Sequence, residues 1–144
     1  MSDDPWQGDA CSLVEAFRAG ERSPEEELSA TYAAIERSDL NAFSHLHREE
    51  AERAAATADV SLPFGGVPVG VKELDQVEGW PDTHACVMYR DAIAPHTGTN
   101  PARIRDRGGA VLMGQTTASE FGGVNVTRTV LNGTTHNPWQ HGRT

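Results

Sequence analysis

Lys72 is the only lysine in a chain of 144 residues that carries eleven arginines. An arginine guanidinium stays protonated, whereas a lysine ammonium taken out of water can lose its proton and act as a base. Lys72 therefore reads either as a residue kept for proton chemistry or as a chance survivor of an arginine-biased composition. The other reactive side chains form weaker patterns. Cys11 and Cys86 are too few and too far apart for a disulfide framework or a zinc site. Cys86 has no recognisable histidine partner and reads as a small hydrophobe. His84, His136 and His141 lack metal-ligand spacing and read as surface or capping residues, so no metal is expected. Gly65-Gly66 precedes a strand and lacks the Gly-Lys-Ser/Thr ending of a phosphate loop. No serine sits in a Gly-x-Ser-x-Gly elbow, and Ser119 reads as structural.

A base at Lys72 needs an element to hold it. The stretch Leu62–Glu73 (LPFGGVPVGVKE) supplies one. Val67, Val69 and Val71 alternate, which predicts a strand, and the Gly-Pro punctuation before them marks its start. Lys72 stands at the end of that strand. Upstream, three helices are expected. Ser12 and Glu15 read as a capping box, with Leu13, Val14 and Phe17 as the apolar face and Gly20 as the stop. Ser23 and Glu26 form a second box with Pro24 at the first helical position; Leu28, Tyr32 and Ile35 follow on one face. Glu25, Glu26 and Glu27 then lie where the helix dipole favours acids. A third helix is expected over about Arg48 to Ala58. Downstream, Asn100-Pro101 predicts a cap and helix start, Gly108-Gly109 a stop, and Ala110 to Met113 a buried strand. Strand, crossover and strand make a parallel βαβ unit. Residues 115–121 are expected as a helical turn and the tail to Thr144 as loop.

Charge divides the chain. Residues 1–60 hold fourteen of the 21 acids against five arginines, while residues 61–144 hold seven acids and seven basic side chains. The net charge of -9 thus belongs to an acidic helical arm, which argues against nucleic-acid or anionic-membrane binding through a basic patch. With a hydrophobic fraction of 38% and a mean hydropathy of -0.50, the core is expected to be incomplete. Neither a signal peptide nor a membrane-spanning run is visible, and a cytoplasmic location is the expectation.

Taken together, these residues resemble the amidase signature hydrolases. The resemblance runs along the whole chain: Gly20 with Ser23-Pro24-Glu25, then Leu40-Asn41-Ala42-Phe43, then Leu62–Glu73. It continues through Ala110 to Gly114, Thr116 and Glu120-Phe121, and ends in Asn137-Pro138-Trp139 with Arg143-Thr144. The resemblance implies an α/β fold, here its N-terminal part: the helical arm (1–60) and the first strands of a mixed sheet (61–144), both within one family domain. It implies a hydrolase of carboxylic amides using a Ser–cis-Ser–Lys triad, with Lys72 as the base and a Gly-rich stretch as the oxyanion hole. A lysine neutral near pH 7 must be desolvated, so Lys72 is expected to be buried. Gly122, Gly123 and Val124 fall where the family places a loop facing the acyl pocket, although an ordinary turn would look the same. No cofactor is implied; the implied partner is a small-molecule amide, with a homodimer as the candidate assembly.

Departures accompany the likeness. The family follows the Arg-Thr run with Pro and a Gly/Ser-rich signature carrying both serines, and Thr144 stands just short of it, so the 144-residue chain is expected to be inactive by itself. Ala85-Cys86 replaces a common Gly-Ser, Gln115 a common Lys and Thr117 a common Asn. Two other readings remain open: the A subunit of a glutamyl-tRNA amidotransferase, and a non-catalytic fragment of a truncated or split gene that needs a partner chain.

Overall fold

A computed structural model describes residues 4–144. The helices are α1 (Ala10–Ala19), α2 (Pro24–Arg37), α3 (Arg48–Ala56) and α4 (Thr99–Asp106); the strands are β1 (Phe43–Leu46), β2 (Pro68–Lys72), β3 (Val111–Thr116), β4 (Arg128–Thr129) and β5 (Gly133–Thr134). β1, β3 and β2 form a sheet in that order, and β4 pairs with β5. β1 runs antiparallel to β3, with Phe43 opposite Thr116 and Leu46 opposite Gly114. The other edge runs in parallel: Val111 N–H donates to Val67 O at one end and Glu73 N–H to Thr116 O at the other, so both strands advance together. The sheet is mixed, as the α/β reading expects. β3 lies between two strands, and Val111 to Gln115 are all buried.

The chain divides into two compact units. Met1–Ser38, His47–Val69 and Ala102–Met113 form the first; Asp39–Leu46, Gly70–Pro101 and Gly114–Thr144 form the second. In the first unit Leu13, Val14, Phe17 and Val67 pack together, joined by Trp6, Val60 and Val69. Arg18 fastens α1 to the loop after α3 by donating to Val60 O and Ser61 O at 2.8 and 3.0 Å. Gly66, at φ +84°, sits where a Cβ would come within 2.5 Å of Pro24 Cγ, so the Gly-Gly pair brings the β2 approach hard against the start of α2.

Several expectations are corrected. α1 is capped by Asp9, whose side chain accepts from Ser12 N–H, because an acceptor three residues upstream outcompetes the serine. Ser12 is instead its third helical residue, and its hydroxyl donates back to Asp9 O. The second box holds as expected, Ser23 Oγ accepting from Glu26 N–H while Glu26 accepts from Ser23 N–H. α3 ends at Ala56, two residues early. Asn100 lies inside α4 rather than capping it. Gln115 belongs to β3, because strand pairing with His45 continues past Met113; the turn that follows is a single 3-10 turn at Glu120–Gly122. The β4–β5 pair occupies part of the tail expected as loop, and β1 a stretch for which no element was expected. Each is too short to show a repeat in sequence.

Tyr32 exemplifies what packing adds. Its ring is buried, its hydroxyl donates to Met113 O at 2.8 Å, and the Arg48 guanidinium lies 4.3 Å above the ring centre. Burial pushes its phenol up to about 12; Glu52 adds to this and Arg48 opposes it. Between the unfolded value near 10 and about 12 the folded protein holds a proton that the unfolded chain releases. Stability therefore falls as pH rises through that window. Melting curves from pH 9 to 12 are expected to show a steeper loss for the wild type than for Tyr32→Phe. Parallel losses would mean that Tyr32 ionises alike in both states.

Candidate functional site

Lys72 closes β2, and in the second unit its side chain is exposed and makes no ion pair or hydrogen bond with a described residue. The desolvated lysine expected from sequence is therefore not found within this chain. Strand alternation gives the reason: Val71 is buried on one side, Lys72 turns to the opposite side, and Glu73 returns to the interior. The pairing of Lys72 with Glu73 or Asp75 that a purely structural lysine calls for is likewise not among the described contacts. The backbone around Lys72 is well held. Its carbonyl accepts from Asp75 N–H at 2.8 Å, and the next amide, Glu73 N–H, donates to Thr116 O at 3.0 Å.

Glu73 is the residue that sequence reading passed over. It is 2% exposed, and its carboxyl group gathers donors from three distant segments. Ala118 N–H reaches Oε1 at 2.6 Å, Asn132 Nδ2 reaches Oε1 and Oε2 at 3.0 and 2.8 Å, and Thr83 Oγ1 lies 3.4 Å from Oε2. An acid buried without a described cation is tolerated only when its oxygens are satisfied in this way. Sequence offered one signal, the period of two that buries the residue after Lys72.

The expected substrate loop follows Ala118. Ser119 is buried, and its hydroxyl donates to Val124 O at 2.7 Å and accepts from Val124 N–H at 3.4 Å. It staples residues 119–124 into one turn, the structural part expected of it. Gly122, Gly123 and Val124 are exposed on that turn. Gly122 has φ +68° and would bring a Cβ within 2.8 Å of Leu74 Cδ1, which fixes the loop beside the segment leaving Lys72. Phe121, at φ 51°, is 58% exposed and stacks on His84 with centroids 5.6 Å apart. Tyr89 meets both rings edge-on, and Phe121 N–H donates to His84 O at 3.0 Å. His84 thus joins an aromatic cluster in addition to approaching Asp82 at 3.4 Å. Ala85, beside it, is held at φ 59°, a conformation that glycine adopts without strain. His136 stacks on His141 with centroids 4.1 Å apart, and no cluster of three or more metal-ligating side chains occurs among the described residues.

The amidase family model matches residues 26–144. The chain belongs to the amidase family. Among curated relatives, the A subunit of glutamyl-tRNA(Gln) amidotransferase from Deinococcus radiodurans is 33% identical over 140 residues, covering 93% of this chain and 29% of that protein. Among solved structures, 6-aminohexanoate cyclic dimer hydrolase superposes with a TM-score of 0.85 at 30% identity over 94% of this amidase-family chain and 28% of its own. A bacterial aryl acylamidase of the amidase signature family does so with a TM-score of 0.84 at 27% identity, over 96% and 31%. The chain thus spans under a third of the length of these relatives. Among the described residues of this amidase-family chain no helix is long and apolar enough to cross a membrane.

Proposed function

We propose that this chain contributes the lysine base of an amidase: Lys72 accepts a proton relayed from a serine nucleophile while an amide carbonyl is attacked, with the carbon–nitrogen bond breaking in the same site. The observation that carries this reading is Lys72 itself, a sole lysine at the end of a pinned parallel strand with no acid to neutralise it among the described residues, in a chain of the amidase family. An exposed ammonium is a poor base at neutral pH. The reading therefore requires a further surface that covers Lys72, from the same region that supplies the serines. Gly122, Gly123 and Val124 form the wall of the acyl site in this proposal, backbone being able to approach a substrate closely where side chains are small. The substrate is a small-molecule amide, and a cytoplasmic setting suits it. Arm (1–60) and core (61–144) act as parts of one family domain.

A second reading has its own support, since the Deinococcus radiodurans relative is named as an amidotransferase subunit. In that case the amide is a nitrogen donor and its ammonia passes to an acceptor. The deciding experiment joins residues 1–144 to the remainder of the aryl acylamidase and, in parallel, to that of the amidotransferase A subunit. Hydrolysis of simple amides by the first graft is the expected result. Activity only in the second, with its partner subunits present, favours the transferase. Two folded but inactive grafts would remove the amidase proposal.

A further inference from the structure

The geometry points to Glu73 as the positioning residue that fixes the strand end carrying Lys72 relative to the start of the 119–124 loop, acting through the main chain rather than by touching the lysine. The catalytic meaning of this rests on the role proposed for Lys72; the positional claim does not. Glu73 and Lys72 are adjacent on a strand end and face opposite sides, so Glu73 has no direct route to the ammonium. What it does have is a grip on the surroundings. Through Oε1 it holds the Ala118 amide at 2.6 Å, the residue before Ser119, and Ser119 in turn closes the loop onto Val124 at 2.7 Å. Through both oxygens it holds Asn132, whose carbonyl accepts from Asn41 Nδ2 at 2.7 Å. Through Oε2 it faces Thr83 at 3.4 Å, the residue before the His84–Phe121 stack. One buried carboxyl group thus fixes the strand end that aims Lys72 and the loop beside it.

A fold that needed only a filled interior here would be served by apolar side chains at positions 73 and 132 together, since replacing both partners of a buried polar contact by well-packed apolar groups is often nearly neutral. The carboxyl group is the one side chain of this length that accepts from an amide N–H and a side-chain amide with both oxygens at once. Glutamine breaks that pattern: its NH2 group would meet the Asn132 NH2 group, donor against donor.

Because Lys72 is the only lysine, reductive methylation with 13C-formaldehyde labels its ε-amine alone apart from the chain's α-amino group. The experiment compares the Lys72 methyl resonance in the wild-type full chain, in Glu73→Gln and in the double variant Glu73→Gln/Asn132→Asp. In the double variant the donor and acceptor are exchanged, so the carboxylate introduced at position 132 accepts from the side-chain amide introduced at position 73. The expected result is a shifted or broadened Lys72 resonance in Glu73→Gln, returned to the wild-type position in the double variant. A lowered melting temperature with an unmoved Lys72 resonance would overturn the inference and leave Glu73 a stabilising residue only. Should Glu73→Gln fail to fold, Asn132→Ala keeps the carboxyl group and its Ala118 bond while removing the contacts from Asn132. An unmoved Lys72 resonance in that variant overturns the inference equally. Turnover plays no part in the readout, so an inactive graft, which would sink the amidase proposal, leaves this test standing.

Discussion

Lys72→Arg lowers amide turnover by about a thousandfold or more in a graft that joins residues 1–144 to the remainder of an active amidase. Arginine preserves the positive charge and approximates the length, but it cannot release a proton near neutral pH. Lys72→Ala, which removes the base and leaves a cavity once the site is covered, loses at least as much. The two variants together separate a proton-transfer role from a charge role. A lysine needed only as a positive charge tolerates arginine and fails with alanine; a base fails with both. The melting curve of the arginine variant should stay close to that of the parent, since Lys72 makes no ion pair or hydrogen bond with a described residue whose loss would destabilise the fold. Steady-state kinetics decides the matter, and near-parental turnover in the arginine graft would take Lys72 out of the mechanism.

Glu27→Ala is expected to cost the first unit about 3–5 kcal/mol, measured by urea unfolding. Glu27 is 4% exposed; its carboxyl group lies 2.6 Å from Arg22 Nε and accepts from Trp6 N–H at 3.1 Å to each oxygen. Thr31 Oγ1 lies 3.4 Å away. Truncating Glu27 leaves the largely buried Arg22 side chain, 10% exposed, without its acid and the Trp6 amide without its acceptor, and the uncompensated charge is the large part of that cost. Arg22→Met combined with Glu27→Met removes both charges while filling the volume, and it should recover much of the loss. A cost below about 1 kcal/mol for Glu27→Ala would mean that the pair is solvated like an ordinary surface pair.

The contrast between Glu27 and its neighbours shows where local reading stops. Glu25, Glu26 and Glu27 look equivalent at the head of α2, each placed to favour the helix dipole. Only Glu26 closes the capping box, and only Glu27 turns inward, because Trp6 and Arg22 lie against that side of the turn. The inward turn depends on a chain segment about twenty residues away. The same limit applies at Ser12, whose hydroxyl resembles a cap until Asp9 is seen to hold the amide, and at Gln115, where pairing with β1 extends the strand past its apolar run. β1 itself offers four residues, Phe43–Leu46, and a strand that short takes its conformation from the partner it meets.

The sequence by itself determined what depends on neighbours in the chain. The alternating valines made β2 a strand, the Ser23–Glu26 box started α2, Gly20 ended α1 in the left-handed conformation at φ 71°, and the ordered motifs along the chain carried the family likeness. Local sterics and near-range hydrogen bonds fix such features, so they survive without knowledge of the fold. Only the tertiary structure decided what depends on segments distant in sequence. It brought Thr83, Ala118 and Asn132 to one carboxyl group and drew His84 onto Phe121. The physical reason is that burial of a polar group requires partners, and which partners arrive is set by how the segments are brought together rather than by any pattern along them.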